Sequence, residues 1–451
     1  MSGPSAAARV AVPVALVLAV LLAYAGALHG PFQFDDWWSI VGDARVHSVQ
    51  SWWQAQPGIR PLLKLVNTLN WIASPTPAAF RAVNIAIHAG ATLALWDLLR
   101  TWVPRLAPRC HRPEGAAFIA ALLFALHPAA TEAVAYASGR SIALSTALAV
   151  VALRAWTRGS KWGAAAFVAA VLVRETAVVT PVAWLLLARC GGLGWRAATT
   201  PLRPLAWLLP LAALAAWLTP GYHSFFGWSL QTRGVGAQLL GQLEAHAYLL
   251  TAPLPGRVLD IDPDVRVPAA FALRPAVAIA AFAVAAVLAW RRRRTQPWLG
   301  FALAWYLLQL APANSLLPRF DLANDRHLYA ALPGPLLAVA LAAVAVPSRR
   351  LALGIAGLLV VASALRTADR LGDYRSEVAL WSASIATSPA KARPWTNLGF
   401  ARRAAGDPPG ARHAFRCAVA LDPRYAPAAW NLAALGRDGP TRADPPCPEA
   451  R

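Results

Sequence analysis

Eleven runs of apolar residues, separated by short polar loops, constrain this chain more than any other feature. Crossing the hydrocarbon of a bilayer takes roughly 20 apolar residues per helix, somewhat fewer where a helix is buried among others. The runs are centred on residues 10–28, 81–99, 115–130, 141–156, 162–173, 176–188, 204–220, 270–290, 298–312, 328–346 and 351–366. Arg174 and Glu175 split the stretch from 162 to 188 into two short halves, as in a hairpin that enters and returns; one long helix there would reverse everything downstream. With 57% hydrophobic and 14% charged residues, the expected class is all-α: a polytopic membrane protein of about eleven transmembrane helices.

Short loops on the cytoplasmic side of a membrane carry the excess of Arg and Lys, which tests the count independently. With the N-terminus inside, Arg100, Arg105, Arg109 and Arg112 fall inside, as do Arg154, Arg158 and Lys161, then Arg189, Arg196 and Arg203, then Arg291 to Arg294 and Arg349-Arg350. The outer loops take most of the acids: Asp35, Asp36, Asp43, Glu132, Glu175, Asp260, Asp262, Asp264, Asp321 and Asp325. The net charge of +21 is thus spread over membrane-orienting loops, with no basic stripe of the kind nucleic acid requires. The first run has the marks of a signal peptide in Arg9 and the small residues Ala25 to Ala27, but its length and the motif that follows favour an uncleaved helix. Cys110 and Cys190 lie in inner loops, and Cys417 and Cys447 can pair only if the C-terminal tail folds back.

A shift in composition near residue 367 separates a membrane domain (1–366) from a soluble segment (367–436) and a Pro-, Asp- and Arg-rich tail (437–451) expected to be disordered. In the soluble segment Trp395, Leu398, Gly399, Ala411, Phe415, Ala418 and Pro423 have the spacing of a tetratricopeptide repeat. One period upstream, Trp381 and Pro389 fall under Phe415 and Pro423, giving about one and a half to two repeats. So few repeats seldom stand alone, so this unit is expected to lean on the membrane domain or on a second copy; its concave face is the place for a protein partner.

The outer loops hold the candidate site residues. The first (residues 30–80) opens with Phe34-Asp35-Asp36-Trp37-Trp38, continues through Trp52-Trp53 and Arg60-Pro61, and places Leu62, Leu65, Val66 and Leu69 on one face of an amphipathic helix suited to the membrane interface. Either Asp35 caps a short helix beginning at Asp36 or Trp37, or the acid pair is functional; the second is favoured, because carboxylates at a membrane surface are costly unless used. The second loop carries His127, Glu132 and Arg140 in an apolar stretch, where Glu132 and Arg140 either serve a ligand or neutralise each other. Arg174-Glu175 and the group Asp321, Asp325, Arg326, His327 and Tyr329 complete the set. Arginines in such turns grip a phosphate with two parallel hydrogen bonds, so an anionic lipid is the natural ligand.

The series F-D-D, R-P, N-x-x-N, Asn84 with His88, L-F-A-L-H-P-x-x-T-E-A-V-x-Y-x-x-G-R, Glu175 and D-R-x-L-Y, followed by tetratricopeptide repeats, resembles the transmembrane and tetratricopeptide repeat-containing O-mannosyltransferases and their bacterial relatives. The resemblance implies a GT-C glycosyltransferase fold, a polyprenyl-phosphate sugar as donor and a catalytic acid in the first outer loop. The repeat stub and the short, divergent loop from Gly221 to Pro268 depart from that pattern, so neither mannose nor a particular acceptor is carried over.

Transfer of a sugar from a lipid phosphate to a hydroxyl needs a base and fixed positive charge for the departing phosphate. Asp36 is assigned as the base with Asp35 as the fallback; Arg60, Arg140, Arg174 and Arg326 are candidate phosphate contacts, and His127 and Glu132 orient. Direct displacement requires one carboxylate and no cofactor, although a divalent ion at Asp35 and Asp36 is compatible with the sequence. A transporter would place its ionisable residues near mid-helix on several spans and show an internal repeat. A non-catalytic scaffold docking partners through its repeats is the main alternative. The Ala-, Arg- and Pro-rich composition points to a bacterial inner membrane, with a cytoplasmic N-terminus, a periplasmic repeat domain and a protein or envelope glycan as acceptor.

Overall fold

The computed structural model describes residues 6–56, 58–252, 257–268, 272–435 and 447–448, and the regular structure among them is helical throughout. Helices occupy all eleven apolar runs. Among the described residues, four helices are long and apolar enough to cross a membrane unaided: Val10–His29, Pro77–Leu106, Leu273–Arg291 and Arg349–Asp373. Two bent pairs, Pro113–Ala125 with Pro128–Ala135 at 52° and Asp325–Ala331 with Pro333–Ala345 at 61°, bring the number to as many as six. The chain is thus an integral membrane protein in which four to six spans are identified among the described residues by length and composition. The shortfall from eleven comes from helices such as Trp162–Val173, Thr180–Cys190 and Pro297–Leu310, which have 12, 11 and 14 residues. The stretch from 162 to 188 does break where Arg174 and Glu175 stand, passing through a 3₁₀ turn at Glu175–Val179.

The bends have a local cause. Pro128 has no N–H to donate, and it forces His127 out of the helical region to φ −75°, ψ 130°. The chain then restarts in the short helix Thr131–Ala135, which carries Glu132. In the second pair the polar turn Asp325–His327 precedes Pro333 and carries Arg326. Each bend turns a short polar segment across the same end of the bundle, while the apolar limbs pack below it. The limb Pro113–Ala125 presents Ala116, Ala117, Ala120 and Ala121, so it packs closely against Pro77–Leu106 and Pro333–Ala345. Small residues achieve this without the hydrophobic driving force that is missing in lipid. Further along the bundle Trp184 lies 5.8 Å from Trp102 and 6.2 Å from Trp156, three large rings filling the core.

Helix Arg349–Asp373 runs straight through residue 367, so the change in composition falls inside a helix. Four more helices follow: Glu377–Thr387, Ala392–Ala404, Pro408–Leu421 and Ala426–Ala434. They pack in sequence, with the ring of Phe415 filling the space where Gly399 lacks a side chain. This helical unit leans on the membrane bundle: Tyr374, Leu380, Trp381 and Leu398 share one apolar cluster with Ala27, Ala135, Tyr136 and Ile261. Its other ties are polar. The buried Asp260 carboxylate accepts hydrogen bonds from Ser384 (2.6 Å), Thr387 (2.7 Å) and Ser388 (2.6 Å), while Lys391 and Arg393 pair with both Asp262 and Asp321. Cys447 does return to the helical unit and forms a disulfide with Cys417. Apart from Cys447 and Pro448, the tail expected to be disordered lies outside the described residues.

Candidate functional site

Phe34 and Arg60 are the two non-glycine residues at positive φ among those described, at 48° and 54°, and both lie in the first loop. A bulky residue in this region costs about 1–3 kcal/mol and persists only where its surroundings impose it. At Arg60 the following Pro61 disfavours the right-handed helical region, and the left-handed angles accompany the side chain's fork to Glu175. Strain next to the acid pair on one side and next to a charged fork on the other marks a loop held in place by its neighbours.

The two acids turn to different surroundings. Asp36, the expected base, is fully buried and saturated: it accepts hydrogen bonds from Gln33 N (3.1 Å), Ser138 N (2.8 Å) and Ser138 Oγ (2.6 Å). It occupies the cap position of the turn Trp37–Val41, yet its side chain makes no cap bond. Asp35 is half-buried, its backbone N–H is donated to the Tyr136 hydroxyl at 3.0 Å, and its carboxylate faces Tyr136, Arg326 and Arg393. Burial raises the pKa of Asp35, opposed by the charge of Arg326. Burial pushes Asp36 from its ordinary 3.8 up to about 6, against the bonds from Ser138 and Gln33 that favour the ionised form. A raised folded-state value means that folding tightens proton binding. The stability Asp36 contributes is therefore full below about pH 4 and lost as pH rises through about 6. Thermal unfolding in detergent should show a falling melting temperature across that window, with a shallower slope in Asp36→Asn; equal slopes would refute this.

Arg140, expected at a phosphate, lies elsewhere. It is fully buried and donates to Asn84 Oδ1 (2.8 Å), Asn67 Oδ1 (3.1 Å), Asn70 Oδ1 (2.7 Å) and the Phe80 carbonyl (2.8 Å), with the Phe80 ring 4.8 Å beneath it. These asparagines also explain the helix Pro61–Ala73. Asn67 and Asn70 face inward to meet the arginine, Thr68 is buried beside them with its hydroxyl donated to the Lys64 carbonyl, and Leu69 and Ile72 are left exposed on the outer side. Arg140 does not pair with Glu132, whose charged neighbour is Arg326 at 3.7 Å. Three other candidates are likewise architectural in their contacts. His127 accepts the Ala129 N–H through Nδ1 (3.1 Å), Asp325 accepts the Asp260 N–H (2.7 Å), and the Tyr329 hydroxyl meets His88 Nδ1 at 2.8 Å in the core.

The remaining cations converge. Arg60 meets Glu175 in a two-pronged fork, Nε to Oε2 at 2.9 Å and Nη2 to Oε1 at 2.6 Å, and Arg319 stands 3.9 Å from the same carboxylate. Burial pushes Glu175 up, but the bonds from Arg60 and the charges of Arg60 and Arg174 outweigh it and hold the carboxyl at about 2. Arg174 is buried, donates Nη1 to Ser141 Oγ at 2.9 Å and leaves Nε without a partner. It lies within electrostatic reach of Arg60, Arg319 and Arg326. Both carboxylate oxygens of Glu132 are buried without a hydrogen bond, facing Arg326. Arg319 was not anticipated, because a lone arginine in a proline-containing loop carries no motif; Tyr136 and Ser138 were overlooked inside a stretch valued for its charged members.

A narrow cleft with a free volume of about 30 Å³ begins at Arg174 and His327. It runs down between helices Arg140–Thr157, Thr180–Cys190 and Pro297–Leu310, lined by apolar side chains such as Ile142, Val150, Leu153 and Trp305. The arrangement is amphiphilic: Arg174 at one end, and along the rest mostly apolar side chains interspersed with Ser145, Thr146, Thr180 and Gln309.

The chain is 33% identical over 159 residues to protein O-mannosyl-transferase TMTC1 of Homo sapiens, which is 32% of this chain and 17% of the human protein. It is 32% identical over 153 residues to protein O-mannosyl-transferase Tmtc1 of Drosophila melanogaster, covering 32% and 16% of the two chains. Over about a third of its length the chain is similar to the TMTC proteins. A second human member, protein O-mannosyl-transferase TMTC4, matches at 29% identity over 143 residues, 27% of this chain and 19% of that one. The chain thus spans less than a fifth of the length of these TMTC relatives. No family model matches the chain, and neither does any solved structure.

Proposed function

We propose that the chain is a membrane glycosyltransferase of the GT-C type, moving a sugar from a polyprenyl-phosphate carrier to a hydroxyl of a protein or envelope acceptor. The observation that carries this reading is the apolar cleft ending in Arg174, with Arg60, Arg319 and Arg326 around it and the Asp35 carboxylate beyond. Its TMTC relatives are named protein O-mannosyl-transferases, which favours a protein acceptor. In this reading the lipid phosphate lies among the arginines, and the first prenyl carbons enter where the helices lining the narrow cleft part to admit them. Asp35 takes the acceptor hydroxyl proton as that oxygen attacks the anomeric carbon, the bond from that carbon to phosphate oxygen breaks, and the lipid phosphate leaves with its charge held by the guanidinium groups. Asp36 positions the loop, and Glu132 is free to accept hydrogen bonds from the sugar. In this reading the short helices complete eleven passages, the N-terminus is cytoplasmic, and the site opens on the outer, periplasmic side of a bacterial inner membrane. The domains are then residues 1–366 for transfer, 367–436 for about two tetratricopeptide repeats, and 437–451 as a tail.

Purified protein in detergent should release sugar from a radiolabelled polyprenyl-phosphate mannose or a related donor. Arg174→Met should raise the donor KM by about tenfold or more, because a buried charge-assisted contact is lost. Absence of transfer with every donor tested, from folded wild type, would return the chain to the scaffold alternative.

A further inference from the structure

The helical unit touches the acid-bearing loop at one point that the transfer reaction does not explain. Glu377, the first residue of helix Glu377–Thr387, uses one carboxylate oxygen to accept the Phe34 N–H at 2.9 Å and the Trp37 indole N–H at 3.2 Å. These two donors bracket Asp35 and Asp36. The Phe34 ring also packs edge-on against Trp381 at 5.0 Å, and Gln33 Nε2 donates to the Tyr374 carbonyl at 3.0 Å. Phe34 is the residue at φ 48° immediately before Asp35. A phenylalanine at that angle relaxes to negative φ unless restrained, and relaxation would swing the next side chain away.

We infer that Glu377 is a positioning residue: by clasping Phe34 and Trp37 from the helical unit, it keeps Phe34 left-handed and aims Asp35 at the arginine cluster. The appended unit is in this respect a wall of the site. The inference rests on the reading of Asp35 as the base. A positioned base contributes only when its carboxylate is within hydrogen-bond reach of the attacking hydroxyl, and small misplacements are costly.

The test is steady-state transfer across pH by full-length protein carrying Glu377→Ala or Glu377→Gln. Glu377→Ala should lower kcat about tenfold or more, leave donor KM within about twofold and displace the acidic limb of the pH–rate profile. Glu377→Gln, whose amide oxygen still accepts both N–H groups, should keep kcat within about threefold of wild type. If Glu377→Ala cannot be recovered folded, Trp37→Phe, which removes one of the two donors, should lower kcat several-fold with donor KM unmoved. Wild-type kcat and pH profile in Glu377→Ala, or in Trp37→Phe where that variant stands in, would overturn the inference, as would equal losses in the Ala and Gln variants. Asp35→Asn in the same assay separates the two ideas: activity there removes the base, whereas inactivity there beside a fully active Glu377→Ala removes only the clasp.

Discussion

Asp35→Asn is expected to lower sugar transfer by about 10²–10⁴-fold while leaving the protein folded and able to hold its donor. The half-buried carboxylate faces Arg326 and Tyr136, and an isosteric amide oxygen can still accept from the Tyr136 hydroxyl, so the change removes proton acceptance and little else. Asp36→Asn should behave differently. Its carboxylate takes three donors, and an amide can satisfy the two from Ser138 but turns an N–H toward the Gln33 N–H. Its losses should follow folded yield and recover when activity is normalised to folded protein. The measurement is transfer per folded molecule, with folding followed by size exclusion and thermal unfolding. Full activity in Asp35→Asn together with a normalised loss in Asp36→Asn would reverse the roles.

The second large effect concerns Arg140. Arg140→Met should cost on the order of 3–5 kcal/mol, against a total of about 5–15 kcal/mol for a typical domain, and leave little folded protein to recover. The guanidinium satisfies three asparagine side chains and the Phe80 carbonyl at once, and Asn84 in turn holds the Val134 and Tyr136 carbonyls at 3.3 and 3.0 Å. Removing it strands several buried acceptors, each worth about 1–3 kcal/mol. Arg140→Lys should not rescue, because an ammonium cannot present the planar fork these partners surround. A melting temperature equal to wild type with donor binding selectively lost would restore Arg140 to the phosphate.

Arg140 also shows where the sequence stops being informative. Its motif is conspicuous, but a motif says that residues matter without saying whether they meet a ligand or each other. Asn67 and Asn70 belong to the same constellation, and only the folded chain brings them onto Arg140 from about seventy positions away. Helix existence was legible throughout, because apolar runs and prolines act locally; the two bends follow from Pro128 and from the polar turn ahead of Pro333. Span number was less so, since helices of 11 to 14 residues, though apolar, are shorter than an isolated span requires. Within the site, the convergence of Arg60, Glu175 and Arg174 involves residues that were all named in advance, whereas Arg319 arrives from a loop whose course no periodicity encodes. The choice between Asp35 and Asp36 required side-chain direction, and adjacent positions in an irregular loop have no period from which to read it.

The contacts of Asp260, Asp262 and Asp321 with the helical unit bear on how that unit can be studied. A chain cut before Glu377 would expose or orphan three carboxylates, release Phe34 and uncover Tyr136. Truncation, the customary way to ask what an appended repeat is for, would here report the collapse of the loops beneath it, and its phenotype would look the same whether the unit recruits a partner or not.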